Sequence, residues 1–88
     1  DLMLANRYSE AASAVDAALE MFPTATVLYQ LRAELFGAQR RFETAADYSL
    51  KTIQLWPGWL KPYYSRALYL MELDRFGEAD QLLRKILV

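Results

Sequence analysis

Cysteine and histidine are both missing from this 88-residue chain. Without cysteine there is no disulfide and no thiolate nucleophile. Without histidine the commonest zinc ligand and the usual general base near neutral pH are gone as well. Only three glycines and three prolines interrupt the chain, and no glycine-rich loop is available to cradle a phosphate. Neither sign of charge dominates: ten basic and eleven acidic residues are interspersed, for a net charge of −1. No basic stripe follows a phosphate backbone, so nucleic acid is not an expected partner. Apolar runs are only a few residues long, against the ~20 needed to cross a bilayer, and no membrane partner is expected. The opening Asp1-Leu2-Met3-Leu4 lacks the basic region and long apolar stretch of a signal peptide. These absences predict a soluble, intracellular and cytoplasmic protein that is not an enzyme and holds no cofactor or metal.

What is present is apolar and periodic. Hydrophobic residues make up 55% of the chain and charged residues 24%, too apolar for a disordered segment. Shifted by 34, the sequence falls onto itself. Arg7, Arg41 and Arg75 share one column, Tyr8, Phe42 and Phe76 a second, Ala11, Ala45 and Ala79 a third, and Leu19, Ile53 and Leu87 a fourth. Pro23 pairs with Pro57, Tyr29 with Tyr63, Arg32 with Arg66 and Ala33 with Ala67. A fixed step of this length means stacked supersecondary units, each burying its apolar face against the next.

The step divides the chain into a partial first unit over 1–23, a second over 24–57 and a third over 58–88. Pro23 and Pro57 end helical patterns in phase, and the residues between them suffice for two helices. In the first unit the pattern predicts the end of a helix A near Asp1 to Ala5 and a helix B from Ser9 to Phe22. The second predicts helices at Val27–Gln39 and Glu43–Trp56, and the third at Lys61–Leu73 and Gly77–Val88. Apolar spacing is that of helices: Ala11, Val15, Ala18 and Leu19 share one face, as do Ala79, Leu83, Ile86 and Leu87. Alanine at a crossing lets two helices approach, and aromatics fill the space beside it.

These columns resemble the tetratricopeptide repeat. Tyr29, Arg32-Ala33, Phe36, Phe42, Ala45, Ile53, Leu55 and Pro57 match its pattern, as do Tyr63, Arg66-Ala67, Leu70, Phe76, Ala79 and Leu87. Tyr8, Ala11, Val15, Ala18, Leu19, Met21 and Pro23 supply the first unit. The resemblance implies an all-α fold, a right-handed α-α superhelix of antiparallel helix pairs with about two and a half repeats. Arg32 and Arg66 stand where leucine is usual, and Ser49 and Thr52 replace an aromatic and an alanine; looser packing is expected there. The second and third repeats are also similar to those of chaperone-binding co-chaperones, which grip C-terminal carboxylates with lysines, asparagines and an arginine. Lys61 matches one clamp position, but Leu31 and Ser65 stand at two others, so carboxylate clamping is not expected.

The family geometry implies that the A helices line a concave groove. Val27, Gln30, Leu31 and Glu34 would face it from the second unit, and Lys61, Tyr64, Ser65, Leu68, Met71 and Glu72 from the third. That mixture suits a partner's peptide or helix held by a few apolar anchors. The expected function is a protein–protein interaction module, with a structural scaffold in a larger assembly as the alternative. Trp56 and Trp59, on either side of Pro57-Gly58, are expected to cover the joint between repeats rather than form an exposed platform. Arg40-Arg41 reads as solvated charge near a helix end. Asp16 and Glu20 share a helix face, but nothing else converges on them to make a metal or acid site. The chain begins within a repeat and stops at Leu87-Val88 without a polar cap, as expected of a segment of a longer array. Self-association through such uncapped ends is a further reading.

Overall fold

The computed structural model describes residues 2–87, with the side chains of residues 7–87. Five helices follow one another through short turns: α1 (Leu2–Met21), α2 (Thr26–Ala38), α3 (Phe42–Leu55), α4 (Lys61–Glu72) and α5 (Phe76–Leu87). There is no strand among the described residues. Each helix packs on the next, and the backbone of α2 also approaches that of α4, whereas among the described residues the backbones of α1, α3 and α5 stay apart. The Cα trace measures 39 × 30 × 14 Å. A thickness of 14 Å fits two layers of helices, given a Cα radius of ~2.3 Å and axes ~8–10 Å apart. The layer of α2 and α4, the inner layer, is the more closely spaced of the two. The fold is an all-α, tetratricopeptide-like helical repeat.

The turns show why the helices end where they do. At the end of α2, Arg40 N–H donates to Gly37 O at 3.0 Å and Arg41 N–H to Phe36 O at 2.9 Å. At the end of α4, Asp74 N–H donates to Met71 O at 3.0 Å and Arg75 N–H to Leu70 O at 2.8 Å. Both are Schellman closures, with Arg40 and Asp74 in the left-handed region at φ 61. The inter-repeat turns are also alike: Tyr29 Oη donates to Pro23 O and Tyr63 Oη to Pro57 O, each at 2.8 Å. Pro62 sits in the first turn of α4, where a missing N–H leaves no bond unmade.

Two sequence expectations need correction. The break expected between Ala5 and Ser9 is absent, and α1 runs unbroken for 20 residues. Asn6 is the column-mate of Arg40 and Asp74, which turn in the left-handed region, but it lies within α1. A left-handed residue costs about 1–2 kcal/mol, offset only when the reversed helix finds a neighbour. Among the described residues no earlier helix offers one. Asp1 and Val88, expected as helix ends, lie outside the described residues.

The second correction concerns Arg32 and Arg66, which stand where leucine is usual yet bond across to the preceding helix. Arg32 Nη1 donates to Ala12 O at 2.8 Å, and Arg66 Nη1 donates to Ala46 O at 2.6 Å, one step of 34 further on. A helical carbonyl keeps a second lone pair, so it accepts these bonds without losing its own. Arg32 also pairs with Asp16 at 2.8 Å and lies over the rings of Phe36 and Tyr48. Ser49 and Thr52 are wholly buried, and Thr52 Oγ1 donates back to Tyr48 O at 2.9 Å. Ser49 Oγ is buried without a hydrogen-bond partner.

The core is built on methyl groups. Ala33, Ala45, Ala46 and Tyr69 form one buried cluster, flanked by Phe36, Phe42 and Tyr48. Ala67, Leu70 and Ala79 form another, flanked by Leu82 and Leu83. Phe36 stacks on Tyr48 and Phe42 on Tyr69, with centroids 5.5 and 6.2 Å apart. Phe76, which shares a column with Phe42, is instead exposed, because no helix follows α5 among the described residues.

Gly37 provides the test of this packing. A Cβ there would stand 2.6 Å from Tyr69 Cε1, whereas one on Gly77 would meet nothing within 4 Å. Both glycines lie in helices. Alanine at Gly77 is therefore expected to stabilise the fold by about 0.5–1 kcal/mol through helix propensity. Alanine at Gly37 is expected to destabilise it by about 1–3 kcal/mol. Urea melts of the two variants should move in opposite directions.

Arg32→Met keeps the stem but removes the charged hydrogen bond at a side chain only 14% exposed. A loss of about 1.5–3 kcal/mol is expected. Hydrogen exchange should quicken first in α1, which is tied to the rest through α2.

Candidate functional site

The inner layer presents its side chains as two ridges with a polar seam between them. At about 100° per residue, Val27 and Leu31 share one strip of α2, while Tyr64, Leu68 and Met71 share one of α4. All five are exposed, from 41% at Leu31 to 59% at Val27. Between them the two helices bond to each other. Gln30 Nε2 donates to Ser65 Oγ at 3.0 Å. Lys61 Nζ lies 3.1 Å from Glu34 Oε1, and Arg40 Nη2 lies 4.0 Å from Glu72 Oε2.

Of the ten residues expected along a groove, Val27, Leu31, Tyr64, Leu68 and Met71 are exposed, and Glu34, Lys61 and Glu72 take part in ion pairs. Gln30 is a correction: it is 2% exposed and spans to α4 instead of facing a partner. Ser65 is its half-buried acceptor. Sequence periodicity puts Gln30 on the inner face but carries no sign that a hydroxyl 35 positions later will cover it. Arg40, the left-handed residue after α2, lies near Glu72 as well, a proximity that periodicity does not signal.

The other candidates sort differently. Trp56 is 52% exposed and does not seal the joint; it leans on half-buried Trp59 with ring centroids 5.6 Å apart. Met21, Phe22 and Leu55 are exposed at the ends of α1 and α3. Arg41 lies over the Phe36 ring and Arg40 over that of Phe42. Asp16 is taken up by Arg32. No cluster of three metal-ligating side chains occurs among the described residues. On the outer side a cleft of 330 Å³ is lined by Tyr29, Asp47, Tyr48 and Lys51. None of these residues forms a nucleophile–base pair. No helix among the described residues is long and apolar enough to cross a membrane.

No known family model matches the chain. The chain is similar to Protein STIP1 homolog of Dictyostelium discoideum, at 34% identity over 74 residues. That stretch is 84% of this chain and 13% of the relative, so the chain spans about an eighth of that protein's length.

Tyr69, beneath the seam, links the site to stability. Burial, reinforced by the Glu34 carboxylate, raises its phenol above the ordinary value of 10.0. The folded chain holds this proton at a pH where the unfolded chain releases it, so stability falls as pH rises past ~10. Tyr69→Phe is expected to flatten that alkaline loss in chemical-denaturation curves while leaving stability near neutral pH largely unchanged.

Proposed function

We propose that this chain is a non-enzymatic, tetratricopeptide-type interaction module that holds a partner protein's peptide or helix on the inner face of α2 and α4. The observation that carries the reading is the row of five exposed apolar side chains there. Solvated helices seldom leave such a row uncovered, and an exposed patch of this kind usually marks an interaction site. Tyr64 offers a rigid amphipathic anchor and Met71 an adaptable one. The resemblance of the second and third repeats to chaperone-binding co-chaperones supports a protein partner, and so does the similarity to Protein STIP1 homolog. An intracellular setting accords with both.

One observation favours a second reading, a scaffold that stacks end to end with other repeats or subunits. Phe76 and Leu87 are 58% and 78% exposed on α5. The two surfaces can be separated. Partners crosslinked in cells and then purified should lose affinity for Tyr64→Ala and Leu68→Ala, by about 1–2 kcal/mol for each anchor. Phe76→Ala and Leu87→Ala should leave it unchanged. The reverse result would replace the groove with the terminal face.

A further inference from the structure

We infer that the inner groove selects a partner segment that is already helical and uncharged along its contact face, and that a terminal carboxylate is not recognised. This deepens the groove reading and rests on it. The first ground is charge. The cations at the seam, Lys61 and Arg40, each lie beside an acid of the neighbouring helix, Glu34 at 3.1 Å and Glu72 at 4.0 Å. Two positive and two negative groups offset one another within the wall itself. A ligand carboxylate at Lys61 would meet the repulsion of Glu34, which offsets the attraction of the ammonium. The hydrogen-bonding groups beside them offer little replacement: Leu31 has no donor, and half-buried Ser65, which accepts from Gln30 Nε2, keeps a single hydroxyl proton to give.

The second ground is the ligand's own backbone. An extended peptide brings an unpaired N–H and C=O at each residue, and burying these without partners is costly. Sheets and nests supply a row of such partners; this seam does not, because Lys61, Glu34 and Gln30 Nε2 are engaged across α2 and α4 and the unpartnered Gln30 Oε1 is buried. A helix arrives with its backbone bonds already made. The third ground is spacing. Tyr64, Leu68 and Met71 follow one another at steps of four and three, and Val27 and Leu31 at a step of four. Two ridges at that spacing accept one apolar helical stripe between them, as in helix-in-groove recognition.

The test is selection from a displayed library of peptides of roughly 20 residues with free C-termini, long enough for five to six helical turns. The 88-residue chain serves as bait. Recovered binders should carry apolar residues at i, i+4 and i+7. Their affinity should hold within about twofold on C-terminal amidation and in ~0.5 M salt. A central proline should cost about a hundredfold. Binding should be lost with Tyr64→Asp or Leu68→Asp, variants at exposed positions whose folding is verified by circular dichroism. Binders that depend on those residues but weaken about tenfold on amidation, or with Lys61→Met, overturn the neutral-helix inference and leave the groove reading intact. Tolerance of the central proline does the same. Binders indifferent to both aspartate variants overturn the groove reading itself, and a library that yields no binder overturns both.

Discussion

Two layers of helices can stand only 14 Å thick where little more than a methyl group separates their axes. Ala33, Ala45, Ala46, Ala67 and Ala79 provide that separation and are almost wholly buried. Every other contact in the molecule is set by this closeness. It brings the aromatic rings of Phe36, Tyr48, Phe42 and Tyr69 into stacking distance beside the crossings. It lets an arginine from one helix reach the backbone of the helix before it. Gly37 carries the same logic to its limit, since even a methyl group there would meet the Tyr69 ring. Larger residues at these points would push the layers apart, and the joints would then lose their register along with their packing.

The arginine joints show how a repeat protein can bury a charge without isolating it. Burial pulls the Arg66 guanidinium below its usual value, and Arg75 adds to the effect, while Asp47 and Glu78 oppose it. The balance leaves it charged, because a guanidinium titrates so far above neutrality. Its bond to Ala46 O is directional, as is that of Arg32 to Ala12 O. A leucine in the same place would fill space but would not select one rotation of the following helix. Each joint therefore has an apolar contact that supplies cohesion and a polar one that supplies register.

How much of this was legible in the sequence follows from the range of each interaction. Helix ends are local: Pro23 and Pro57, and the residues between α2 and α3 and between α4 and α5, place the turns to within a residue or two. The 34-residue step gives the pairing order because identical units bury identical faces. The buried polar residues were not legible. Ser49, Thr52, Gln30 and the two half-buried arginines look like defects along the chain; Gln30 and the arginines find partners on other helices, Thr52 finds one within α3, and Ser49 Oγ has none. Gln30 meets Ser65 across 35 positions and Arg32 meets Ala12 across 20. Periodicity assigns a side to each residue but does not say whether that side will be covered. The unbroken α1 fails for the converse reason. Asn6 stands in the turn column, yet a turn forms only where the reversed segment has something to pack against.

The same distinction between local pattern and cross-helix pairing governs the inner face. Lys61, taken alone, resembles part of a carboxylate-binding site, and its exposure would keep it free for one. Glu34, on the other helix, changes its role: the pair becomes a strut across the seam, 3.1 Å long and shared by α2 and α4. Exposed struts of this kind add little stability, commonly under about 1 kcal/mol. Their larger effect is on recognition, because they use up the charges that would otherwise attract a charged partner. The exposed apolar area of the ridges is left without a charged group of its own beside it, and on the proposed reading any selectivity there comes from shape, from which residues of a partner reach Tyr64, Leu68 and Val27 at once.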